Sequence, residues 1–213
     1  MEINWLGYSC FRITERSMAT VVTDPYDHHI VGLDQLKLKA DIVTVSNDSP
    51  AHNYVNAVKT DPYIISSPGE YEIGGVFITA VQTNGHSKAS VDDFRNILCM
   101  MDINGIIVVH LGALNRVPTR SEIEALGNAA VAFVPIGGGK SLNAAKAAEV
   151  INMIEPNIVI PMHYSIPGAA ENLDTLEKFL KEMGVTTVEH QPTLKIASAS
   201  SLSEETQVVV LDF

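Results

Sequence analysis

Four of the seven histidines come shortly after a predicted β-strand, which is the placement expected of a shared binding site. These are His52, His86, His110 and His163. Rigid strands hold the loops at their ends, so side chains on such loops converge readily on one spot. Imidazole is also the commonest side-chain ligand of zinc. The spacing therefore predicts a site, without deciding which of the four histidines belong to it.

A glycine-rich segment, Gly137-Gly138-Gly139-Lys140-Ser141, has the composition of an anion-binding turn. It leads into a predicted helix, where free backbone N–H groups and a lysine favour negative charge. It is not a nucleotide-binding P-loop, because the earlier glycine of that motif is replaced by apolar residues and proline. Lys140, Ser141 and Arg116 are the candidates for binding the anionic group of a substrate. A tight turn that only enters a helix is the alternative.

The elements that would position these residues are short strands in the first half and alternating helices and strands in the second. Apolar residues alternate with polar ones at positions 3–13, as in half-buried strands. Further strands are predicted at 42–45, 63–65, 76–81, 97–101, 106–109, 131–134, 158–160, 185–188, 194–197 and 208–211. Helices are predicted from Thr119, which has capping-box spacing to Glu122, from Ser141 to Glu155, and from Leu173 to Met183.

The organisation of the chain indicates one domain over residues 1–213, of the α/β (α+β) class. No change of composition and no flexible linker divides the sequence. Many strands early and helices later imply sheets that are covered by helices. His28 and His29 are assigned to a surface loop.

Composition excludes several classes of protein. The chain has 14 Lys+Arg against 25 Asp+Glu and no basic run, which argues against a nucleic-acid partner. No apolar stretch reaches the roughly 18 residues of a membrane span, and the first residues lack the apolar core of a signal peptide. Cys10 and Cys99 lie in apolar runs and are expected to be core thiols without a disulfide. We expect a cytoplasmic protein without membrane contact.

Six short segments occur in a recognisable order along the chain. They are Trp5-Leu6-Gly7-Tyr8-Ser9-Cys10-Phe11-Arg12-Ile13, Thr23-Asp24-Pro25-Tyr26, Pro68-Gly69-Glu70-Tyr71-Glu72, His110-Leu111-Gly112, Pro135-Ile136-Gly137-Gly138 and Pro161-Met162-His163-Tyr164. Together they resemble the metallo-β-lactamase superfamily, specifically the small cytoplasmic branch related to ascorbate-6-phosphate lactonase. The resemblance covers about residues 1–180. It implies an αββα sandwich, with two β-sheets face to face and helices on the outer faces, and a Zn- or Mn-dependent hydrolase.

The resemblance also implies a set of metal ligands, and the sequence departs from it. The family's His-x-His-x-Asp-His loop is matched by residues 47–52, where only the final histidine is retained. The other positions of this vestigial loop hold Asn47, Asp48, Ser49 and Ala51, and Ala113 stands at the position of the bridging aspartate. His52, His86 and His163 match the retained metal ligands. Asp24 matches an aspartate expected to brace the metal loop, although an Asp that caps a turn before Pro25 is the alternative.

Two classes of function follow from this departure. In the first, the chain keeps the fold, has lost metal-dependent hydrolysis and acts as a binding or regulatory module for a small anionic molecule or a protein partner. In the second, it is a hydrolase of lactones or phosphoesters with one metal ion on His52, His86 and His163. The cofactor is accordingly none, or one weakly bound Zn or Mn ion. Metal-free acid–base chemistry by His86 or His163 is a third hypothesis. The resemblance also implies a homo-oligomer.

Overall fold

The computed structural model describes residues 1–84, 95–188 and 190–213. Within these residues the helices are α1 (His28–Val31), α2 (Arg120–Glu124), α3 (Ala144–Ile154) and α4 (Leu176–Glu182), with short 3₁₀ turns at Val55–Ala57 and Ala199–Ser201. The strands are β1 (Glu2–Trp5), β2 (Phe11–Thr14), β3 (Val21–Thr23), β4 (Ile42–Thr44), β5 (Tyr63–Ile65), β6 (Gly69–Ile73), β7 (Val76–Asn84), β8 (Asn96–Ile103), β9 (Ile106–His110), β10 (Val131–Pro135), β11 (Ile158–Met162), β12 (His190–Gln191), β13 (Leu194–Lys195), β14 (Gln207–Val208) and β15 (Val210–Leu211).

The strands form two large mixed sheets. The first has the order β13-β1-β2-β3-β4-β5, and the second has the order β14-β11-β10-β9-β8-β7-β6. In the first sheet, β3, β4 and β5 are parallel. In the second, β9, β10, β11 and β14 are parallel. β12 and β15 pair separately as a short parallel ribbon.

The two sheets bury one core between them. Phe11 of the first sheet stacks on Phe133 of the second, with ring centroids 4.0 Å apart. Successive residues of β3 point to opposite faces. Val21 therefore joins the core between the sheets, and Val22 packs in a second cluster that includes Val31 of α1.

The outer face of the second sheet is covered by α3, whose buried side includes Ala147, Val150 and Ile151, and by Phe179 of α4. Helices therefore lie outside both sheets, and the predicted α/β sandwich is confirmed. Helix α2 carries the predicted capping box between Thr119 and Glu122. None of the helices in the described part of the chain has the length and apolar content needed to span a membrane.

The structure corrects several predicted bounds. Helix α3 begins at Ala144 rather than Ser141, because Asn143 caps it and Ser141 bonds to other groups. Helix α4 begins after Thr175, so Leu173 lies outside it.

The predicted strands near the end of the chain also differ. Residues 185–188 form no strand, and residues 208–211 do not form one continuous strand. The break lies at Val209, because β14 joins the large second sheet while β15 pairs with β12. The segment assigned to a surface loop contains α1, capped by Asp27. Cys10 and Cys99 are buried free thiols, as predicted.

Candidate functional site

A cavity of about 540 Å³ lies where several parallel strands end. Most of the segments that line the cavity or support its wall follow β3, β4, β9, β10 and β11. The turn between β1 and β2 and Arg95, just before β8, complete the described wall. Open sheets commonly bind ligands beyond the carboxyl ends of their strands, because loops from neighbouring strands meet there. The cavity wall includes Tyr8, His52, Ala113, Lys140, His163 and Glu171.

His52 is held by the buried carboxylate of Asp24. Its Nδ1 lies 2.8 Å from Oδ2 of Asp24, which also accepts a hydrogen bond from the hydroxyl of Ser46 at 2.6 Å. The other carboxylate oxygen accepts the backbone N–H of Ser46 at 2.7 Å. Asp24 therefore braces the loop after β4, as the resemblance implied, and its bond to Nδ1 leaves Nε2 as the ring nitrogen of His52 able to bind a ligand.

Asp24 stays ionised although it has no exposed surface. Burial opposes the charged form, but His110, His52 and the hydrogen bonds from His52 and Ser46 outweigh it and hold the pKa of Asp24 below its ordinary value. An ionised carboxylate accepts the Nδ1 proton of His52. This is the arrangement in which proteins orient a metal-binding imidazole.

His163 is oriented by a different partner. Its Nδ1 is 2.9 Å from Oγ of Ser141, and the Ser141 hydroxyl donates to the carbonyl of Gly138 at 3.0 Å. The Ser141 hydroxyl therefore links Nδ1 of His163 to the main chain of the glycine-rich turn and fixes the orientation of the ring. Burial lowers the pKa of His163 and favours the neutral ring. The other ring nitrogen, Nε2, is buried and has no hydrogen-bond partner of good geometry among the described residues.

Glu171 and Tyr8 complete this side of the cavity. Oε2 of Glu171 lies 3.4 Å from Nε2 of His163, and the Tyr8 hydroxyl donates to the same oxygen at 2.8 Å. The His163 ring, with a further contribution from Tyr8, lowers the pKa of Glu171, so the carboxylate is ionised at neutral pH. Burial, with the charge of Glu171, raises the pKa of Tyr8, which stays protonated and can donate.

The main chain is strained where it presents these side chains. Tyr8, Asp24 and His163 have φ angles of 54°, 41° and 52°, in the left-handed region that residues other than glycine rarely adopt. Such residues concentrate at functional sites, where the surrounding structure enforces their conformation. Gly137 allows the close approach beside them, since a Cβ there would lie 2.3 Å from the carbonyl oxygen of His163.

Other residues stand at the positions where the resemblance implies metal ligands, and those of the loop after β4 form hydrogen bonds within that loop. The side-chain amide of Asn47 donates to Ser46, and its oxygen accepts the backbone N–H of Ser49. The Ser49 hydroxyl accepts the backbone N–H of Ala51. Ala113 lines the cavity with a methyl group. These positions supply no imidazole or carboxylate for a second metal ion.

The structure brings together some of the predicted site residues. His52 and His163 share the cavity, with ring centroids 5.8 Å apart, and Lys140 and Ser141 line it too. His86 lies outside the described residues. His110 is buried away from the cavity wall, with its ring nitrogens bonded to the carbonyl of Ser9 and the N–H of Gly112.

Arg116 is not brought into the cavity. Its guanidinium pairs with Glu122 at 2.7 and 2.9 Å and donates to the carbonyls of Thr83 and Val117. The described part of the cavity wall also includes Arg95 and Lys146, which the sequence did not single out.

The described donors at the cavity, two imidazoles and a carboxylate, are of the types that bind one zinc ion. His163 and Glu171 place Nε2 and Oε2 close together, and His52 faces the same cavity. A different cluster, Asp27 with His28 and His29 at the start of α1, holds its ligand atoms within 4.8 Å of one another. The ligand atoms of His52, His163 and Glu171 do not all lie within that distance of one another, so the chemistry of these donors, rather than their present separation, fits an ion.

Comparison with known proteins identifies the class. The model of the β-lactamase superfamily domain matches residues 2–163. A crystal structure from Thermotoga maritima superposes with a TM-score of 0.81 and 32% identity, covering 99% of this chain and 97% of that one. It is described as a candidate Zn-dependent hydrolase of the metallo-β-lactamase superfamily. The chain belongs to this superfamily.

Curated relatives narrow the likeness to one group of proteins. A UPF0173 protein of Pyrococcus furiosus is 27% identical over 206 residues, with 86% of this chain and 90% of the relative covered. A UPF0173 metal-dependent hydrolase of Lysinibacillus sphaericus is 24% identical over 173 residues, with 76% and 74% covered. These descriptions favour the hydrolase hypothesis over the inactive binding module.

Proposed function

We propose that this protein is a metal-dependent hydrolase that uses a single metal ion and acts on a small anionic substrate such as a lactone or phosphoester. The observation that carries the proposal is the paired orientation of His52 and His163. Each ring is bonded through Nδ1 to a buried side chain, Asp24 or Ser141, so each has Nε2 available as a ligand at the same cavity. His86, which the resemblance implies as a further ligand, lies outside the described residues.

One ion suits this site better than two. Asn47 and Ser49 are bonded within their own loop, and Ala113 has no donor to bridge two ions. Catalytic zinc sites typically have about three protein ligands and one open position. An ion bound here would supply a Lewis acid and a water of lowered pKa for hydrolysis.

The protein's own groups support the rest of the reaction. Lys140 and Lys146 give one side of the cavity positive charge, which favours an anionic substrate, and Arg95 adds guanidinium N–H donors although its charge is paired with that of Asp48. Arg95 is held there by Asp48 at 2.5 Å and by the carbonyl of Ser66 at 2.8 Å. The loop at 137–139 brings backbone polar groups to the same wall. Together these groups would bind and orient the anionic part of the substrate.

Paired measurements of metal content and turnover test the proposal. The untagged protein is loaded with Zn²⁺ or Mn²⁺, dialysed, and assayed against panels of lactones and phosphoesters. His52→Ala and His163→Ala should each lower metal content and turnover together. The control is His190→Ala, since His190 is exposed and contacts Asp212 outside the cavity. Turnover that survives His163→Ala, or wild-type protein that binds no metal, would overturn the proposal.

A further inference from the structure

We propose that Glu171 is the carboxylate ligand of the single metal ion, and that Tyr8 is the residue that positions it. The inference rests on the proposed function, because it assigns a ligand to the same ion. Glu171 lies in the loop between β11 and α4, eight positions after His163 in the sequence, and its side chain is half exposed at the cavity. No spacing in the sequence marks it as a ligand.

The first support is the distance between Glu171 and His163. Oε2 and Nε2 are 3.4 Å apart, close enough to interact, yet Nε2 has no hydrogen-bond partner among the described residues. Two ligands on one tetrahedral zinc ion, with bonds of about 2.0–2.2 Å, lie about 3.3–3.5 Å from each other. The two atoms thus already have the separation that a shared ion requires.

The second support is the surroundings of the two ring nitrogens of His163. Nδ1 is engaged by the Ser141 hydroxyl at 2.9 Å, and Nε2 is the ring nitrogen that faces Oε2 of Glu171. Nε2 is buried, and no side chain among the described residues other than Glu171 stands at hydrogen-bonding distance from it. A divalent cation between the two atoms would be bound by both.

The third support is the way Tyr8 holds Glu171 in place. The Tyr8 hydroxyl donates to Oε2 of Glu171 at 2.8 Å, and the edge of its ring meets His163 with centroids 4.3 Å apart. The backbone carbonyl of Tyr8 also accepts the N–H of His163 at 3.0 Å. One strained residue therefore fixes the positions of both ligands. Metal-binding carboxylates are commonly held by such hydrogen bonds.

The other acidic side chain of the described cavity wall is differently placed. Asp48 is largely exposed and pairs with Arg95. Glu171 is therefore the carboxylate that can join His52 and His163. The resulting set of two imidazoles and one carboxylate is a known composition for catalytic zinc sites, and it leaves a fourth position open toward the cavity.

Metal affinity separates this inference from the proposed function. Zn²⁺ affinity is measured by competition with a chromophoric chelator, and Co²⁺ is used for its ligand-dependent absorption spectrum. Glu171→Gln should weaken Zn²⁺ binding by at least about 10-fold and change the Co²⁺ spectrum. Asp48→Asn is the matched control in the same cavity and should bind both ions as the wild type does. Tyr8→Phe keeps all three ligands and should weaken binding less than Glu171→Gln.

The outcomes distinguish the two proposals. Suppose that the wild type binds one ion and that His163→Ala loses it. If Glu171→Gln then binds the ion with unchanged affinity and an unchanged Co²⁺ spectrum, Glu171 is not a ligand. The proposed function would stand in that case. If the wild type binds no ion, both proposals fail. An unchanged unfolding midpoint for Glu171→Gln shows that a loss of affinity is not a loss of folding.

Discussion

The buried carboxylate of Asp24 provides a direct test of how the site is held together. It accepts two hydrogen bonds from Ser46 and one from His52, at 2.6–2.8 Å. Asp24→Asn keeps the size of the side chain but leaves one acceptor oxygen instead of two. In either orientation, the new NH₂ group faces at least one of the three donors. At least one buried donor then loses its acceptor, and each remaining hydrogen bond is made to a neutral oxygen instead of a charged one.

The expected cost follows from these contacts. A buried donor without an acceptor costs about 1–3 kcal/mol, and a hydrogen bond weakens by about 1 kcal/mol when its acceptor becomes neutral. Burying an amide is less costly than burying a carboxylate, which offsets part of the loss. We therefore expect the free energy of unfolding to fall by about 2–4 kcal/mol, less than the stability of a typical domain. Zn²⁺ affinity should fall about 10–100-fold, because Asp24 orients His52.

Urea unfolding followed by the fluorescence of Trp5, together with a chelator-competition titration, measures both effects. Asp212→Asn is the matched control, because Asp212 contacts Nδ1 of an exposed histidine, His190, at 3.1 Å. Exposed pairs of this kind contribute about 0–1 kcal/mol. If Asp24→Asn loses no more stability and no more Zn²⁺ affinity than Asp212→Asn, the bracing role of Asp24 is wrong.

Three further predictions concern other parts of the structure. Gly137→Ala should lower the free energy of unfolding by about 1–3 kcal/mol and weaken Zn²⁺ binding, because the added Cβ would collide with the backbone of His163. Urea titration measures the first effect and chelator competition the second. Glu122 is a partly buried carboxylate whose hydrogen bonds with Arg116 and Thr119 lower its pKa in the folded state. The stability that Glu122 contributes is therefore fully present above the pKa of the unfolded chain, about 4.3, and is lost as the pH falls through the lower pKa of the folded protein. Urea titrations between pH 6 and pH 3 should therefore show a larger loss of stability in the wild type than in Glu122→Gln, and equal losses would contradict the assignment. Burial raises the thiol pKa of both Cys10 and Cys99, so a thiol-specific reagent should label neither cysteine in the native protein at neutral pH and both in urea.

The sequence carries enough information for most of the fold. Strands that are buried on both faces, such as β10 and β11, appear in the sequence as continuous apolar runs. Such runs are typical of buried strands and not of surface elements, so they could be predicted. The capping box at Thr119 marks the start of α2 in the sequence. Helix α1 escaped prediction because four residues are too few to show a helical period. The division between β14 and β15 depends on two different pairing partners, which no local pattern contains.

The site is predictable only in part, because its membership depends on tertiary contacts. Histidines after strands point to the right region, but His110 uses both ring nitrogens on the main chain, as only the folded arrangement reveals. Arg116 has the charge of a substrate-binding residue, yet Glu122 engages it outside the cavity. Tyr8 appears in one of the recognised segments without a role, and Glu171 is an isolated acid in a loop. Nothing in the sequence positions of Tyr8 and Glu171 indicates that their side chains are in contact.

The number of metal ions bound per chain tests the central claim most directly. The untagged protein is loaded separately with Zn²⁺ and Mn²⁺, dialysed, and analysed by elemental mass spectrometry against its concentration. The account predicts about one equivalent of at least one of these metals in the wild type and far less in His163→Ala. Two equivalents that both depend on His163 would show that the site holds a metal pair. Less than about a tenth of an equivalent would show that the cavity does not work as a metal centre.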